Sequence, residues 1–438
     1  MRDIVIVLIV FGSLPFILAR PYIGVLMWSW LGYMNPHRLA YGFAYDFPFA
    51  QVVAIAIIAG LLFSREPKRI PLNSLTISWF MFLLWMVVTT IFAISHDVSQ
   101  EQLIKVVKIQ LVAVITLMVI SDRARLNMLI WVIVLSIGYY GIKGGVFTIG
   151  TGGSHHVWGP SGSFIQGNNE LALALLMIIP LANYLRSIAV NIWVQRGMLL
   201  VMLLMGVSAI GSQSRGALLA AGAVMVWFWL KSRQKLKMGI ALLLIGTSVV
   251  VFMPSSWHER MDTIDTYEED ASAMGRINAW QAAISLASSR FTGGGFDGIN
   301  IRSIFVMHAP IPEKYHDAHS IYFEVLGDHG IPGLLLFLLV GILAFKKSNE
   351  LVRRTHDVKE LAWLNTLARM IQVSLIAYAT GGAFLGLAYF DLFYHLLAII
   401  VIGTHLVEKH VMEFEQSEIL AAELGGRGAN AENKRSWY

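Results

Sequence analysis

The sequence has no cysteine, and only 14% of its 438 residues are charged. The lack of cysteine excludes disulfide bonds, thiolate nucleophiles and thiolate metal sites. The scarcity of charge excludes an ordinary soluble protein, because a soluble globular protein has about 25% charged residues. The chain is instead rich in apolar residues, which make up 56% of it, and its mean hydropathy is +0.63. This composition predicts a protein that crosses a membrane many times.

Apolar segments follow one another along the chain as far as residue 407. A bilayer core of about 30 Å is crossed by about 20 apolar helical residues. The first two segments are short and nearly adjacent, so they could together form one crossing. We therefore predict an all-α polytopic membrane protein with about twelve transmembrane helices. The segments are 3–19, 21–34, 49–63, 74–95, 102–120, 126–148, 168–185, 196–212, 215–230, 237–253, 319–345, 364–386 and 389–407.

Lysine and arginine are concentrated in alternate connections between these segments. The basic connections lie near 65–69, 123–125, 186–196, 231–237 and 346–359. By the positive-inside rule they face the cytoplasm, together with the tail from residue 408. The other connections are 35–48, 96–101, 148–167, 212–215, 254–318 and 386–389. This second set is predicted to face out, which in a Gram-negative cell would be the periplasm of an inner-membrane protein.

The same pattern divides the chain into four parts. Residues 1–253 form a transmembrane bundle, 254–318 a large periplasmic loop and 319–407 the C-terminal transmembrane helices. Residues 408–438 form a cytoplasmic tail, which we expect to be disordered because its last part is polar and rich in glycine. Of the connections, only the loop 254–318 is long enough to contain an active site, since long ordered loops are usually functional.

The periplasmic loop contains one predicted amphipathic helix. Ile277, Trp280, Ile284 and Ala287 recur at spacings of three and four, which is typical of a helix with one apolar face. We expect this helix to lie at the membrane interface. It could simply pack on the bundle, or it could form a lid over a lipid-linked substrate.

Several cations lie near the predicted periplasmic face. Insertion of a charged side chain into a transmembrane helix costs about 2.5–3.5 kcal/mol, so each such cation requires an explanation. Lys105 and Lys108 lie three residues apart on one side of a helix, Arg215 lies at a tight joint, and Arg276 opens the loop helix. Lys105 and Lys108 could also snorkel to the interface. With no nearby acid expected to pair with them, these cations predict an anionic substrate group, for which diphosphate is the obvious candidate.

His319 stands where a transmembrane helix begins at the periplasmic side. An imidazole with a pKa near 6.5 is the usual general base at neutral pH, although a hydrogen-bonded structural role is the alternative. His316, Asp317 and His319 could also bind a metal, but no HExxH motif or carboxylate cluster supports that interpretation. The acidic run 262–270 is more typical of a solvated loop. We therefore predict no metal and no cofactor.

Four motifs in this order resemble the O-antigen ligase and polymerase superfamily of bacterial membrane glycosyltransferases, and are most similar to its ligase branch. They are the segment 162–169, the joint 214–217, the pair 275–276 with Trp280 and the glycine-rich turn 293–295, and the segment 319–330. Together they cover roughly residues 160–335. The family usually has asparagine after its essential histidine, and this chain has Ser320 there.

The resemblance implies a GT-C-like enzyme that takes a glycan from undecaprenyl diphosphate and transfers it to a hydroxyl of the lipid A core oligosaccharide. The family is metal-independent and inverts the anomeric configuration. By this resemblance His319 is the general base, and Arg215 and Arg276 bind the diphosphate, with Lys105 and Lys108 as further candidates. Membrane lipids are the expected surroundings. Neither a nucleic acid nor an obligate protein partner is expected.

Other activities are compatible with the same features. A polymerase would use a second lipid-linked glycan as acceptor, and a protein O-oligosaccharyltransferase would use a serine or threonine. A lipid-linked oligosaccharide flippase or an anion transporter would also have many spans and buried cations. A flippase predicts two similar halves, and the sequence shows no repeat of one half in the other. The cations gather at one face, which favours chemistry there over transport.

Overall fold

The computed structural model describes residues 2–423 except 65, 67, 233, 254–256 and 258–270. Every regular element that these residues form is a helix, which confirms the predicted fold class. The α-helices are α1 (Arg2–Ala19), α2 (Pro21–Met34), α3 (Phe49–Phe63), α4 (Ser74–Ile91), α5 (His96–Val119), α6 (Arg123–Gly150), α7 (Asn168–Ile188), α8 (Ile192–Gly211), α9 (Arg215–Lys231), α10 (Lys235–Phe252), α11 (Ala271–Ser289), α12 (Arg302–His308), α13 (Ile321–Arg354), α14 (Ala362–Gly381) and α15 (Asp391–Glu423).

Each apolar segment of the sequence forms a helix. In the described part of the chain, eight helices are long and apolar enough to cross a membrane, namely α1, α4, α5, α6, α7, α8, α13 and α15. Helix α3 is apolar but shorter. The protein is therefore an all-α, multi-pass membrane protein. The figure of about twelve crossings stays a prediction, because the remaining predicted segments form the helices α2, α9, α10 and α14, for which no crossing has been shown.

Helices α1 and α2 are separate antiparallel helices, so they do not form a single crossing. Arg2, at the start of α1, donates from Nη1 to the Leu39 carbonyl oxygen beyond the end of α2 (3.0 Å). At its other end, α1 packs so closely on α3 that a Cβ at Gly60 would lie 2.7 Å from the Ile17 carbonyl oxygen. The chain turns at Arg20, which is extended because it precedes Pro21, and proline disfavours the helical conformation of the residue before it.

One end of the bundle collects the connections that contain few basic residues. The Ile94 amide donates to the Gly294 carbonyl oxygen (2.9 Å), which joins the α4–α5 connection to the loop before α13. Asn168 Nδ2 donates to the Ser212 carbonyl oxygen (2.8 Å), which joins the start of α7 to the α8–α9 joint. We call this the His319 end, since His319 lies between α12 and α13 there.

The basic connections meet at the opposite end. Arg125 at the start of α6 pairs with Glu66 after α3, with Nη2 2.8 Å from Oε1. Asn365 of α14 donates to the Val352 carbonyl oxygen of α13 (2.7 Å). The two sets of connections that the charge pattern separates are thus at opposite ends of the bundle.

Helix α11 packs on α13 through a different face from the predicted one. Ala279, Ala282 and Leu286 are buried, whereas Ile284 is 48% exposed. Small side chains let two helix backbones approach closely, and this explains why the alanine face is the one that contacts α13. Of the predicted apolar face, Ala287 is buried, whereas Ile284 stays free to contact the membrane interface where we expect this helix to lie.

Helix α13 is broken at Gly330, whose φ is 66° and ψ is −172°. The glycine-rich turn docks on this break: the Gly294 amide donates to the Gly327 carbonyl oxygen (2.8 Å) and the Gly295 amide to that of Asp328 (2.9 Å). A side chain at Gly330 would strike the Phe291 carbonyl oxygen. The break thus fixes the position of the glycine-rich turn on α13.

Helix α15 continues to Glu423 and so includes the first part of the tail that was expected to be disordered. The prediction of disorder from residue 408 is wrong for 408–423. This stretch is rich in good helix formers, and Lys409 and Glu413 form an ion pair four residues apart (3.8 Å). Residues 424–438 lie outside the described part of the chain, as does the acidic run 262–270.

Candidate active site

His319 lies in the short segment that leads into α13, and its backbone is unusual. Its φ is 40°, in the left-handed region that residues with a side chain rarely adopt. Such conformations cost of order 1–3 kcal/mol and gather at functional sites. The imidazole is half-buried, with 35% of the side chain exposed. The ring is thus held at the surface of the His319 end, where a substrate can reach it.

Asp317 faces His319 with both carboxylate oxygens. The His319 amide donates to Oδ1 (3.4 Å), and Oδ2 lies 3.8 Å from Nδ1 of the ring. The second distance is longer than a hydrogen bond, but it is short enough for the carboxylate to stabilise a positive charge on the imidazole. From the sequence Asp317 is a candidate only as a metal ligand, whereas its position in the structure suits the orientation of a base.

Several charges act on the His319 ring. Burial lowers the pKa of His319 below its ordinary value, Asp317 counteracts part of that effect, and Arg276 and His316 lower the pKa further. The net direction is downward, so the imidazole is neutral at neutral pH. A neutral imidazole can accept a proton, as a general base must.

Arg276 lies near His319 because the second turn of α11 packs against the segment before α13. Gly275 allows this approach: a Cβ there would lie 2.7 Å from Cδ2 of His316. Asn278 ties the two segments together, since its Nδ2 donates to the carbonyl oxygens of Ile311 (2.9 Å) and Lys314 (3.0 Å). The motif Gly275-Arg276 therefore combines a close contact with a cation.

Trp280 extends the same contact. Its Nε1 donates to the Ala318 carbonyl oxygen (2.7 Å), and its ring stacks on Phe323 with centroids 4.8 Å apart and planes 11° apart. Phe384, in the connection between α14 and α15, lies 6.3 Å from the same ring. This tryptophan fixes the backbone one residue before His319, so it is a positioning element of the segment.

Arg215 is the first residue of α9 and lies at the same end. Ser214 caps the helix, and its hydroxyl accepts from the Ala217 amide (3.2 Å). Gly216 packs on Phe384, where a Cβ would lie 3.2 Å from the phenylalanine Cβ. Because Phe384 also contacts Trp280, Arg215 belongs to the same group of packed elements as Arg276 and His319.

Acidic residues lie among these cations, which the sequence pattern does not predict. The charges of Arg276 and Asp317 both act on Glu170 in the first turn of α7. Glu324 Oε2 accepts from the Ala388 amide (3.1 Å) and so binds α13 to the α14–α15 connection. Both glutamates lie in or directly after the motifs 162–169 and 319–330, and that position is the only sequence signal that points to them.

Lys105 and Lys108 stand apart from this group. Lys105 forms an ion pair with Glu101 one helical turn away (3.0 Å), and its side chain is 52% exposed. Lys108 is exposed on the same helix. The expectation that Lys105 has no acidic partner is therefore wrong. No contact within the described ranges joins either lysine to His319 or Arg276.

Ser320 replaces the asparagine that the resemblance leads one to expect. It is fully buried at the start of α13. Its hydroxyl has no hydrogen-bond partner among the described residues. The residues that the structure describes also contain no group of three or more His, Asp or Glu arranged to bind a metal.

The fold and this site define a multi-pass membrane protein with a group of titratable residues at one end of its bundle. Residues 200–338 match the model of the O-antigen ligase family, and residues 1–190 match a family of unknown function, DUF5935. No curated protein matches the chain. Arg215, Arg276 and His319 thus lie in the region that is similar to the O-antigen ligase family. This match indicates a membrane enzyme of the glycosyltransferase type with a role in O-antigen and lipopolysaccharide biosynthesis.

Proposed function

We propose that the protein is an O-antigen ligase that transfers a glycan from undecaprenyl diphosphate to a hydroxyl of the lipid A core oligosaccharide. The reaction takes place at the His319 end, which we assign to the periplasmic face of the inner membrane. The observation that carries the proposal is the half-exposed imidazole of His319, which lies beside Asp317 and within reach of the Arg276 charge. A neutral base beside a cation suits the attack of a hydroxyl on a sugar that carries a diphosphate leaving group.

In this reaction the neutral imidazole of His319 accepts the proton of the acceptor hydroxyl. The hydroxyl oxygen forms a bond to the anomeric carbon of the donor sugar, while the bond from that carbon to the diphosphate oxygen breaks on the opposite face. The anomeric configuration inverts, and undecaprenyl diphosphate leaves with the bonding electrons. Asp317 stabilises the imidazolium that results, as a carboxylate does when it lies beside a catalytic histidine.

Arg276 and Arg215 have the complementary role of binding the diphosphate. A guanidinium presents a planar fork of N–H groups that matches phosphate oxygens, and it keeps its charge throughout the reaction. Glu170, close to Arg276, can hold that fork in place before the substrate arrives. The arginines therefore bind the leaving group and stabilise the negative charge that develops on it.

The positions of the charges favour an enzyme over a flippase. His319, Arg276, Asp317 and Glu170 act on one another electrostatically at one end of the bundle. A transport path for a charged lipid headgroup would need polar groups along its whole length. The acceptor is the part of the proposal for which the site gives the least information, so the experiment must vary it.

The decisive experiment is reconstitution of the purified protein with glycan-loaded undecaprenyl diphosphate and one of three acceptors. These are lipid A core oligosaccharide, a second lipid-linked glycan and a protein with an acceptor serine. We expect transfer to the lipid A core, with an inverted linkage and with activity unchanged by saturating chelator. Transfer only to another acceptor would overturn the ligase assignment, and movement of the donor across the bilayer without transfer would overturn the enzyme assignment.

A further inference from the structure

The joint between α8 and α9 places Arg215, and its backbone is unusual. Helix α8 ends at Gly211, and Arg215 is the first residue of α9. Between them Gln213 has a φ of 55°, in the left-handed region that residues with a side chain rarely adopt. Such a conformation persists only where the surrounding structure holds it. The position of Arg215 therefore depends on the contacts that hold this joint.

Two other parts of the chain hold the α8–α9 joint. Asn168 Nδ2 donates to the Ser212 carbonyl oxygen (2.8 Å), and Nδ1 of His156 lies 3.3 Å from the same oxygen. This carbonyl is one of the last of α8, which have no partner within their own helix. Gln213 Nε2 donates to the Gly153 carbonyl oxygen (3.0 Å). Asn168 and Gln213 are both buried, so water does not compete for these hydrogen bonds.

The first turn of α7, to which Asn168 belongs, also approaches the other arginine of the site. Asn168 is the first residue of α7, and Glu170 follows two positions later. The charge of Arg276 acts on Glu170. The Glu170 carboxylate folds back over the start of its helix, since a Cβ at Gly167 would strike it. One helical turn therefore holds the joint before Arg215 and places a carboxylate near Arg276.

We propose that Asn168 is a positioning residue that fixes Arg215 in its place for the diphosphate. The inference rests on the proposed function, since it takes Arg215 as a ligand of that group. Asn168 lies in the matched region 1–190 and Arg215 in the matched region 200–338, so the two regions form the site together. The buried amide acts through the joint. Displacement of a binding group by about 1 Å can lower a rate about a hundredfold.

Three variants test the role of the Asn168 amide. Asn168→Ala removes the hydrogen bond to the joint, whereas Asn168→Gln keeps an amide donor and should restore part of the activity. Asn169→Ala is the matched control, because Asn169 is the next residue of the same turn and has no hydrogen bond to the joint within the described ranges. Alanine is a good helix former, so we expect all three to fold, which thermal unfolding in detergent checks.

A double-mutant cycle with Arg215→Ala tests whether Asn168 acts through Arg215. In the wild-type background, Asn168→Ala should lower the single-turnover transfer rate about 10–100-fold, and Asn169→Ala should change it less than about twofold. In the Arg215→Ala background, Asn168→Ala should change the rate less than about twofold, because no guanidinium remains to be positioned. An equal loss in both backgrounds would mean that Asn168 only supports the fold. That result, or no loss in the wild-type background, would overturn the inference.

A binding experiment separates this inference from the proposed function. If the wild-type protein transfers glycan to no acceptor, the proposed function fails, and the Kd for undecaprenyl diphosphate in detergent then tests the positioning alone. Asn168→Ala should raise this Kd about threefold to tenfold, and it should raise it no further when Arg215→Ala is also present. A Kd that Asn168→Ala leaves unchanged, effects that add in the double variant, or a wild-type protein that does not bind would each overturn the inference.

Discussion

Two histidines ten positions apart, His319 and His329, have opposite surroundings. His319 is half-exposed, its backbone is in the left-handed region, and its ring lies 3.8 Å from the nearest carboxylate oxygen. His329 is fully buried in α13 and has a partner at each ring nitrogen. Nδ1 lies 2.7 Å from the Thr89 hydroxyl, and Nε2 lies 3.0 Å from the Tyr389 hydroxyl.

The difference shows how one motif can contain a reactive imidazole and a structural one. A buried ring whose two nitrogens are both bonded has no lone pair left for a substrate, and its partners fix its tautomer. The network continues to Asp328, whose Oδ2 accepts from the Tyr389 hydroxyl (2.8 Å). It supports the break at Gly330, on which the glycine-rich turn is seated. His319 instead has an accessible ring with a charge nearby, as a general base requires.

The largest expected effect is on transfer after loss of the reactive ring. His319→Ala should reduce the transfer rate by about 10²–10⁴-fold, because that is what a general base contributes. Rates with reconstituted enzyme and lipid-linked donor test this. His155→Ala, which removes an exposed histidine at the same end, is the matched control and should remain active. A fully active His319→Ala would show that His319 is not the reactive histidine of the two.

His329→Ala should act on stability instead. It leaves the hydroxyls of Thr89 and Tyr389 buried without the ring and creates a cavity, so we expect the free energy of unfolding to fall by about 2–4 kcal/mol. Denaturant unfolding in detergent measures the change. The remaining folded enzyme should transfer glycan at close to the normal rate. A stable but inactive His329→Ala would mean that both histidines take part in the chemistry.

Arg276→Lys and Arg215→Lys test the diphosphate clamp. Each keeps the charge but loses the planar fork, so the transfer rate should fall about 10–100-fold, in line with the loss of about 1.5–3 kcal/mol for a charged hydrogen bond. Arg302→Lys changes an exposed arginine of the same loop region and should have little effect. Equal rates for the three variants would reduce Arg215 and Arg276 to point charges or structural residues.

Asp317→Asn sharpens the comparison through pH. The carboxylate raises the pKa of His319 against the lowering by burial, Arg276 and His316, so its removal should lower that pKa further. A base works only when neutral, and the rate falls as pH drops through its pKa. The acid limb of the profile of kcat/KM against pH should therefore move to lower pH, while Asp317→Glu should keep it near its original position. A limb that stays in place would show that Asp317 does not act on the ring.

The smallest effect is expected at α5. Lys105 already pairs with Glu101, and exposed ion pairs of this kind contribute about 0–1 kcal/mol. Lys105→Ala and Lys108→Ala should each change KM for the donor less than about threefold. A tenfold rise in KM for the donor would instead indicate that these lysines belong to the anion site that the sequence predicts.

The sequence predicted the helices well, because a long apolar run identifies a membrane helix without knowledge of its neighbours. Helix α7 begins at Asn168, where the predicted segment begins, and α4 at Ser74 does the same. The buried face of α11 was not predictable in this way. The hydrophobic pattern favours the larger side chain of Ile284, whereas close contact with α13 favours alanine, and only the position of α13 decides between them.

Part of the site was also predictable from local sequence. His319, Arg276 and Arg215 each belong to a recognisable motif, so each could be identified without knowledge of its neighbours in the fold. The pairing of Asp317 with His319, the charge of Glu170 near Arg276 and the ion pair of Lys105 depend on distances between side chains. Glu170 and Arg276 belong to helices α7 and α11, which are far apart in the chain, and nothing local to either residue reports that they are close.

The sequence by itself determined the membrane class, the helices and the separation of the connections into a basic and a less basic end, because hydropathy and charge act residue by residue. Only the tertiary structure decided which histidine is exposed, which cations have acidic neighbours and which residues hold the joint before Arg215. These properties arise from packing and electrostatics, which depend on distances that the folded chain alone defines.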